Sequence, residues 1–202
     1  MDSSVFSFNI KFPTLINESF VSDNMELSND HLLMIEIASG NQEAMEKLID
    51  KWKNAAFRFF NRSLNNQSDA EDLTQQLFIK IYLSASKYKP QAKFSTFFFT
   101  VARNLLIDQI KKNNRRSFTN FDEGILNFDQ IELTNESKEL HEILDIAMQE
   151  IPEFQRTAIL LRVQKDLSYK EISDIMKVSE SRVKTWIYRA RVYLKKFLEE
   201  EF

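Results

Sequence analysis

Residues 167–191 restrict most tightly what this chain can become, because they spell two capped helices joined by a short turn. Ser168 and Glu171 have the serine-then-glutamate spacing of a capping box, which starts the first helix. Ser179 can cap the second after the Lys177–Val178 turn. On that second helix Val183, Ile187, Ala190, Leu194 and Leu198 recur at three- and four-residue steps and define one buried stripe. Arg182, Lys184, Arg189, Arg191, Lys195 and Lys196 all fall outside the stripe, and residues 181–196 contain no acid. A solvated cationic face is the ordinary explanation for a lone basic helix. The capped helix and tight turn before it make a helix-turn-helix instead, so the basic face is expected to meet DNA phosphates.

The rest of the chain favours the same class of structure. Only 2 glycines and 3 prolines occur in 202 residues, with Leu, Ile, Lys, Glu and Gln abundant, so an all-α fold is expected. A hydrophobic fraction of 43%, including 18 phenylalanines, is enough for a real core. The absence of cysteine excludes disulfides and thiolate metal sites and suits a reducing compartment. His31 and His141 lie far apart in helical patterns, so no metal or other cofactor is expected. No apolar run approaches the ~20 residues that span a bilayer. Residues 1–30 lack a basic start followed by an apolar core. The expectation is a cytoplasmic protein without membrane insertion.

Net charge is −3, but it is unevenly placed. Residues 1–30 carry net −4, residues 87–116 net +7, residues 117–153 net −9 and residues 181–196 net +6. Two basic surfaces separated by an acidic segment predict two nucleic-acid contacts held at a distance.

The periodicity divides the chain into an arm over 1–27, a helical domain over 28–116, an acidic linker over 117–134 and a small helix-turn-helix domain over 135–202. In the first domain a helix follows Ser28 and stops at Gly40, and a second runs from about Gln42 to Leu64. Ser68 and Glu71 repeat the capping-box spacing for a third helix, to about Ser86. Pro90 breaks a basic loop, and Ser95 is placed to cap a fourth helix, to about Asn114. In the second domain a helix runs from Asn135 to Ile151, and Pro152 opens another, to about Lys165.

The fourth helix has a second unusual face. Phe98, Val101, Ala102, Leu105 and Leu106 form its apolar stripe, while Phe97, Thr100, Asn104 and Lys111 line up nearly opposite. A phenylalanine among polar residues can stack on an unpaired base, with Asn104 offering hydrogen bonds and lysines holding the backbone; the ordinary alternative is that Phe97 packs beneath a neighbouring loop. Tyr88 and Phe94 bracket the basic loop that carries Lys87 and Lys89, and add to the single-strand reading, although Phe94 alone would be core. On the third helix Asp69, Glu71 and Asp72 precede Gln75 and Phe78. Carboxylates in a first turn complement the helix dipole, and they would equally serve a docking edge; a metal site lacks further ligands.

Together these residues resemble the bacterial sigma factors of the extracytoplasmic-function group, two-domain minimal members of the housekeeping sigma family. The resemblance covers about residues 32–116 and 137–198. Asp69-Ala70-Glu71-Asp72-Leu73-Thr74-Gln75 is similar to the segment that binds the clamp helices of RNA polymerase. Phe94-Ser95-Thr96-Phe97 and Val101-Ala102-Arg103-Asn104, ending Ile107-Asp108, resemble the segment that melts and reads the −10 element. Ile151-Pro152-Glu153-Phe154-Gln155-Arg156, the Leu167–Ile172 run and Val183-Lys184 with Arg189-Ala190-Arg191 resemble the −35-reading domain. The chain departs from the family pattern at Phe97, usually tryptophan, at Thr100, often basic, and at Ala92-Lys93, usually Gly-Arg. It departs again at Ser181-Arg182, usually Gly-Thr, and at Trp186, commonly arginine.

The resemblance implies a dissociable promoter-specificity subunit with no catalytic residues. Core polymerase would dock on Asp69, Glu71, Asp72, Gln75 and Phe78. Lys87, Tyr88, Lys89, Phe94, Thr96, Phe97, Thr100, Arg103, Asn104, Lys111 and Arg115 would take single-stranded −10 DNA. Ser179, Ser181, Arg182, Lys184, Thr185, Arg189, Arg191 and Lys195 would take duplex −35 DNA. The linker would pass near the RNA exit path and hold the domains apart, and an anti-sigma partner is expected. The rivals are a stand-alone helix-turn-helix regulator, which leaves Phe97 and the acidic helix unexplained, and a nucleic-acid enzyme built on Asp69, Glu71 and Asp72.

Overall fold

The computed structural model describes residues 28–116, 135–164 and 167–201, and these form helices with no strand among them. The elements are α1 (Asn29–Ala38), α2 (Gln42–Leu64), α3 (Gln67–Ser84), a 3-10 turn (Ala85–Lys87), α4 (Phe94–Arg116), α5 (Asn135–Glu150), α6 (Glu153–Val163), α7 (Tyr169–Met176) and α8 (Glu180–Glu201). The arm at 1–27 and the linker at 117–134 lie outside the described residues.

Local chemistry sets most boundaries. The Asn41 side chain caps α2 by accepting from the Ala44 amide, and Gly40 turns the chain just before it at φ +88°. Asn65 closes α2 in the left-handed region, and Asn66 caps α3 by accepting from the Asp69 amide. Asn66 therefore displaces the expected Ser68–Glu71 capping box, and Glu71 accepts from Gln67 Nε2 instead. Similarly, Ser95 is a buried first-turn residue of α4 rather than its cap, because Lys93 already supplies the carbonyl that the Thr96 amide meets.

The core between α2, α3 and α4 is largely aromatic. Phe59, Phe60, Phe94, Phe98 and Phe99 are fully buried with Leu48, Leu77 and Leu106, and Trp52 sits 4.7 Å from Phe98 and 5.4 Å from Phe94, centroid to centroid. Edge and tilted ring pairs of this kind add to the area they bury. Farther along the chain, Ile151, Leu161, Leu167, Ile172, Ile175, Val183, Ile187 and Ala190 are buried where α5, α6 and α7 pack on α8.

The two sets of helices touch, contrary to the expected separation. α2 contacts α5 and α6, and α4 packs against α7. Arg156 on α6 donates from Nη1 to the Ser63 carbonyl at 2.9 Å, and Gln149 Nε2 donates to the Arg62 carbonyl at 3.2 Å. These carbonyls belong to the last turn of α2, where the helix leaves acceptors unsatisfied. That need explains why a distant cation and amide settle there.

Candidate nucleic-acid interface

The helix-turn-helix is built by the chemistry its sequence announces. Ser168 accepts from the Glu171 amide at 3.2 Å, and Glu171 Oε2 accepts from the Ser168 amide at 2.6 Å, a complete capping box. Burial raises the Glu171 carboxyl, but its hydrogen bonds with Ser168 and the nearby Lys93 ammonium outweigh this and hold it below the ordinary value. Lys177 turns the chain in the left-handed region at φ 55°, and its amide meets the Ser173 carbonyl. Ser179 Oγ then accepts weakly from the Arg182 amide at 3.4 Å.

On α8 Val183, Ile187 and Ala190 face inward, while Ser179, Ser181, Arg182, Lys184, Thr185, Arg189, Arg191 and Lys195 are all exposed. Two of these cations are paired with carboxylates. Lys184 pairs with Glu180 at 2.7 Å, and Lys195 pairs with Glu199 at 3.5 Å. Arg182, Arg189 and Arg191 have no carboxylate partner among the described residues. Exposed ion pairs are worth little, so a phosphate can displace them.

The face of α4 is less open. Lys87, Lys89, Asn104 and Lys111 are exposed, and the side chain of Arg115 lies outside the described residues. Phe94, placed beside the basic loop by sequence, is only 2% exposed: its ring packs against Trp52 and Phe98. Thr96 is buried, with no hydrogen-bond partner for its hydroxyl, and Thr100 is half-buried and donates to the Thr96 carbonyl. Phe97 is half-buried, edge-on to Tyr88 at 5.0 Å, so it packs under the neighbouring loop while keeping part of its ring accessible. Burial, reinforced by the Asp30 carboxylate, pushes the Tyr88 phenol up to about 12. Arg103 is half-buried; burial pulls its guanidinium below the ordinary value, and the Glu153 carboxylate of α6 partly offsets that. Buried His31 anchors the loop, with Nε2 donating to the Ala92 carbonyl at 3.1 Å.

On α3 Glu71, Asp72 and Gln75 are exposed. Asp69 is half-buried and accepts from Asn113 at 3.2 Å. Phe78 does not join this strip: it is 7% exposed with its ring 6.1 Å from Phe98, because it adjoins the buried Leu73–Leu77–Ile81 stripe. Ile79, Tyr82 and Leu83 are the apolar residues that α3 exposes instead, and sequence reasoning passed over them. Their position off that stripe was the available signal. Among the described residues no group of three or more His, Cys, Asp or Glu side chains could hold a metal, and no helix is long and apolar enough to cross a membrane.

Comparison with known proteins bears on both faces. Residues 42–116 match the family Sigma-70 region 2, and residues 141–194 match Sigma-70, region 4. The chain is 30% identical over 176 residues to the ECF RNA polymerase sigma factor SigW of Bacillus subtilis, across 82% of this chain and 94% of that protein. It is 32% identical over 152 residues to SigM of the same organism, across 75% of this chain and 93% of that one. The fold is similar to that of the sigma factor RpoE of Bartonella quintana, solved with the anti-sigma factor NepR. That likeness has TM-score 0.67 at 21% identity and covers 76% of this chain and 96% of the other.

Proposed function

This chain belongs to the extracytoplasmic-function group of RNA polymerase sigma factors, and we propose a division of labour among its residues on that footing. The protein is a sigma factor: it binds core RNA polymerase and directs promoter-specific transcription initiation, reading duplex DNA at −35 and melting and reading the −10 element. It works by binding rather than catalysis, in the cytoplasm where its polymerase is, and an anti-sigma factor restrains it.

α8 enters the −35 major groove, with Ser181, Arg182, Lys184 and Thr185 nearest base edges and Arg189, Arg191 and Lys195 on phosphates. Lys87, Lys89, Tyr88, Phe97, Asn104 and Lys111 capture the unpaired −10 strand. Asp72, with Glu71 and Gln75, docks on polymerase. The units at 28–116 and 135–202 carry these tasks separately. Phe94, Thr96 and Phe78 support the surfaces from beneath, since all three are buried.

The observation that most supports this reading is the outward basic face of α8 on a complete capping-box helix-turn-helix. In vitro transcription with sigma-free core polymerase and genomic promoter fragments tests it. Initiation at discrete sites that disappears with Asp72→Lys is expected. DNA binding without any initiation would sink it and leave the stand-alone regulator.

A further inference from the structure

We propose that His31 is a positioning residue for −10 reading: it fixes the shape of the loop over 88–93, and that shape sets how strictly the loop selects the unpaired base it accepts. The inference rests on the assignment of this loop and α4 to −10 DNA.

The loop needs support from outside itself. It runs from the end of the 3-10 turn to the start of α4, and its internal structure is slight. Pro90 has no amide hydrogen to give, and the Gln91 amide is met inside the loop by the Lys89 carbonyl at 2.8 Å. Lys89, Gln91, Ala92 and Lys93 are all exposed. A stretch this open keeps conformational freedom that binding would have to remove.

His31 supplies the support from α1. Its imidazole is buried, and Nε2 donates to the Ala92 carbonyl at 3.1 Å, 61 residues along the chain. Ser28 Oγ lies 3.4 Å from Nδ1, so its hydroxyl can donate there and leave the ring proton on Nε2. The same ring lies 6.0 Å from that of Tyr88, which in turn meets Phe97 at 5.0 Å. The Tyr88 hydroxyl is buried with no hydrogen-bond partner, so neighbouring rings locate this side chain rather than a polar contact. One residue therefore touches both ends of the loop, Tyr88 through its ring and Ala92 through its proton. A histidine that only filled space would need no partner at either nitrogen, and this one has a partner at each.

α1 is itself held firmly. Met34 and Ile37 are buried with His31 where α1 packs on α2, and buried Asp30 accepts from Lys51 Nζ of α2 at 2.6 Å. α1 also contacts the 3-10 turn that leads into the loop. It precedes the stretch matched as region 2, so the geometry of the loop depends on residues before that stretch. A reading loop braced by a packed helix is a mobile element made specific by a rigid one.

The test titrates holoenzyme, assembled from sigma-free core polymerase, with the non-template −10 strand of a promoter recovered by in vitro transcription. Each of the four bases is placed in turn at each position of that strand. His31→Phe keeps an aromatic ring beside Tyr88 and removes the donor. It should reduce base discrimination at one position by roughly two- to tenfold, the worth of one hydrogen bond. His31→Gln, whose amide can donate in place of Nε2, should restore most of it. His31→Asn, whose shorter amide stops before Ala92, should repeat the loss, which keeps the test decisive where His31→Phe does not fold. Unchanged helical circular dichroism and −35 duplex affinity certify the fold. A purely structural role would weaken binding to all four bases evenly. That result, or full discrimination in folded His31→Phe and His31→Asn proteins, overturns the inference. Failure of the −10 assignment looks different: Lys89→Ala would then leave single-strand affinity unchanged.

Discussion

The two basic helices, α4 and α8, both carry net positive charge and stand in different surroundings. α8 rests on α5, α6 and α7 by one apolar stripe, and its cations point outward. α4 contributes Phe94, Phe98 and Phe99 to an aromatic core, meets α7 along another side, and keeps only part of its polar face open. A surface made by simple amphipathicity is therefore available in the resting molecule. One that shares its helix with a core and an interface is only partly so. The contrast suits a protein that finds duplex DNA first and captures an unpaired base afterwards.

The sharpest way to break this contrast is to damage one platform. Phe98→Ala empties the centre of the aromatic core and should cost about 3–5 kcal/mol of stability, read by urea denaturation. Duplex −35 binding should persist at a urea concentration where single-strand binding is lost; parallel loss of both would mean one platform serves both surfaces. Next in size, Arg182→Ala should cost about 1–3 kcal/mol of discrimination at one −35 base pair, measured by binding to a substituted promoter series. Lys195→Ala should weaken all sequences evenly and lower the salt slope by about one. If both variants merely weaken binding evenly, the division between base and phosphate contacts is wrong.

The smallest effect concerns pH. The Glu171 carboxyl is held below its ordinary value, so its contribution to stability is present above 4.5 and is lost as pH falls through the lowered value. Glu171→Gln should flatten that part of the acid-unfolding curve. An identical acid slope in the two proteins would remove Glu171 from the linkage.

Much of this was legible in the sequence, for identifiable reasons. The helix-turn-helix could be read because its caps lie within three residues of their partners and its stripe is unbroken. The start of α3 departs from its capping-box spacing because Asn66 reaches the Asp69 amide before Ser68 is needed. Phe94 and Phe78 pack inward, which sequence context does not reveal, because an aromatic beside charged residues looks alike whether it stacks outward or packs inward. The contact between the halves left no sequence signal: Arg156 meets the Ser63 backbone 93 residues away, and a backbone carbonyl has no identity to read.

The two-site claim is tested most directly by promoter spacing. Inserting about five base pairs, half a helical turn, between the −35 and −10 elements rotates one site away from the other. In transcription with sigma-free core polymerase and this protein, initiation should collapse while binding to the isolated −35 duplex is unchanged. Initiation that persists undiminished with the insertion would contradict a single chain reading both elements at once.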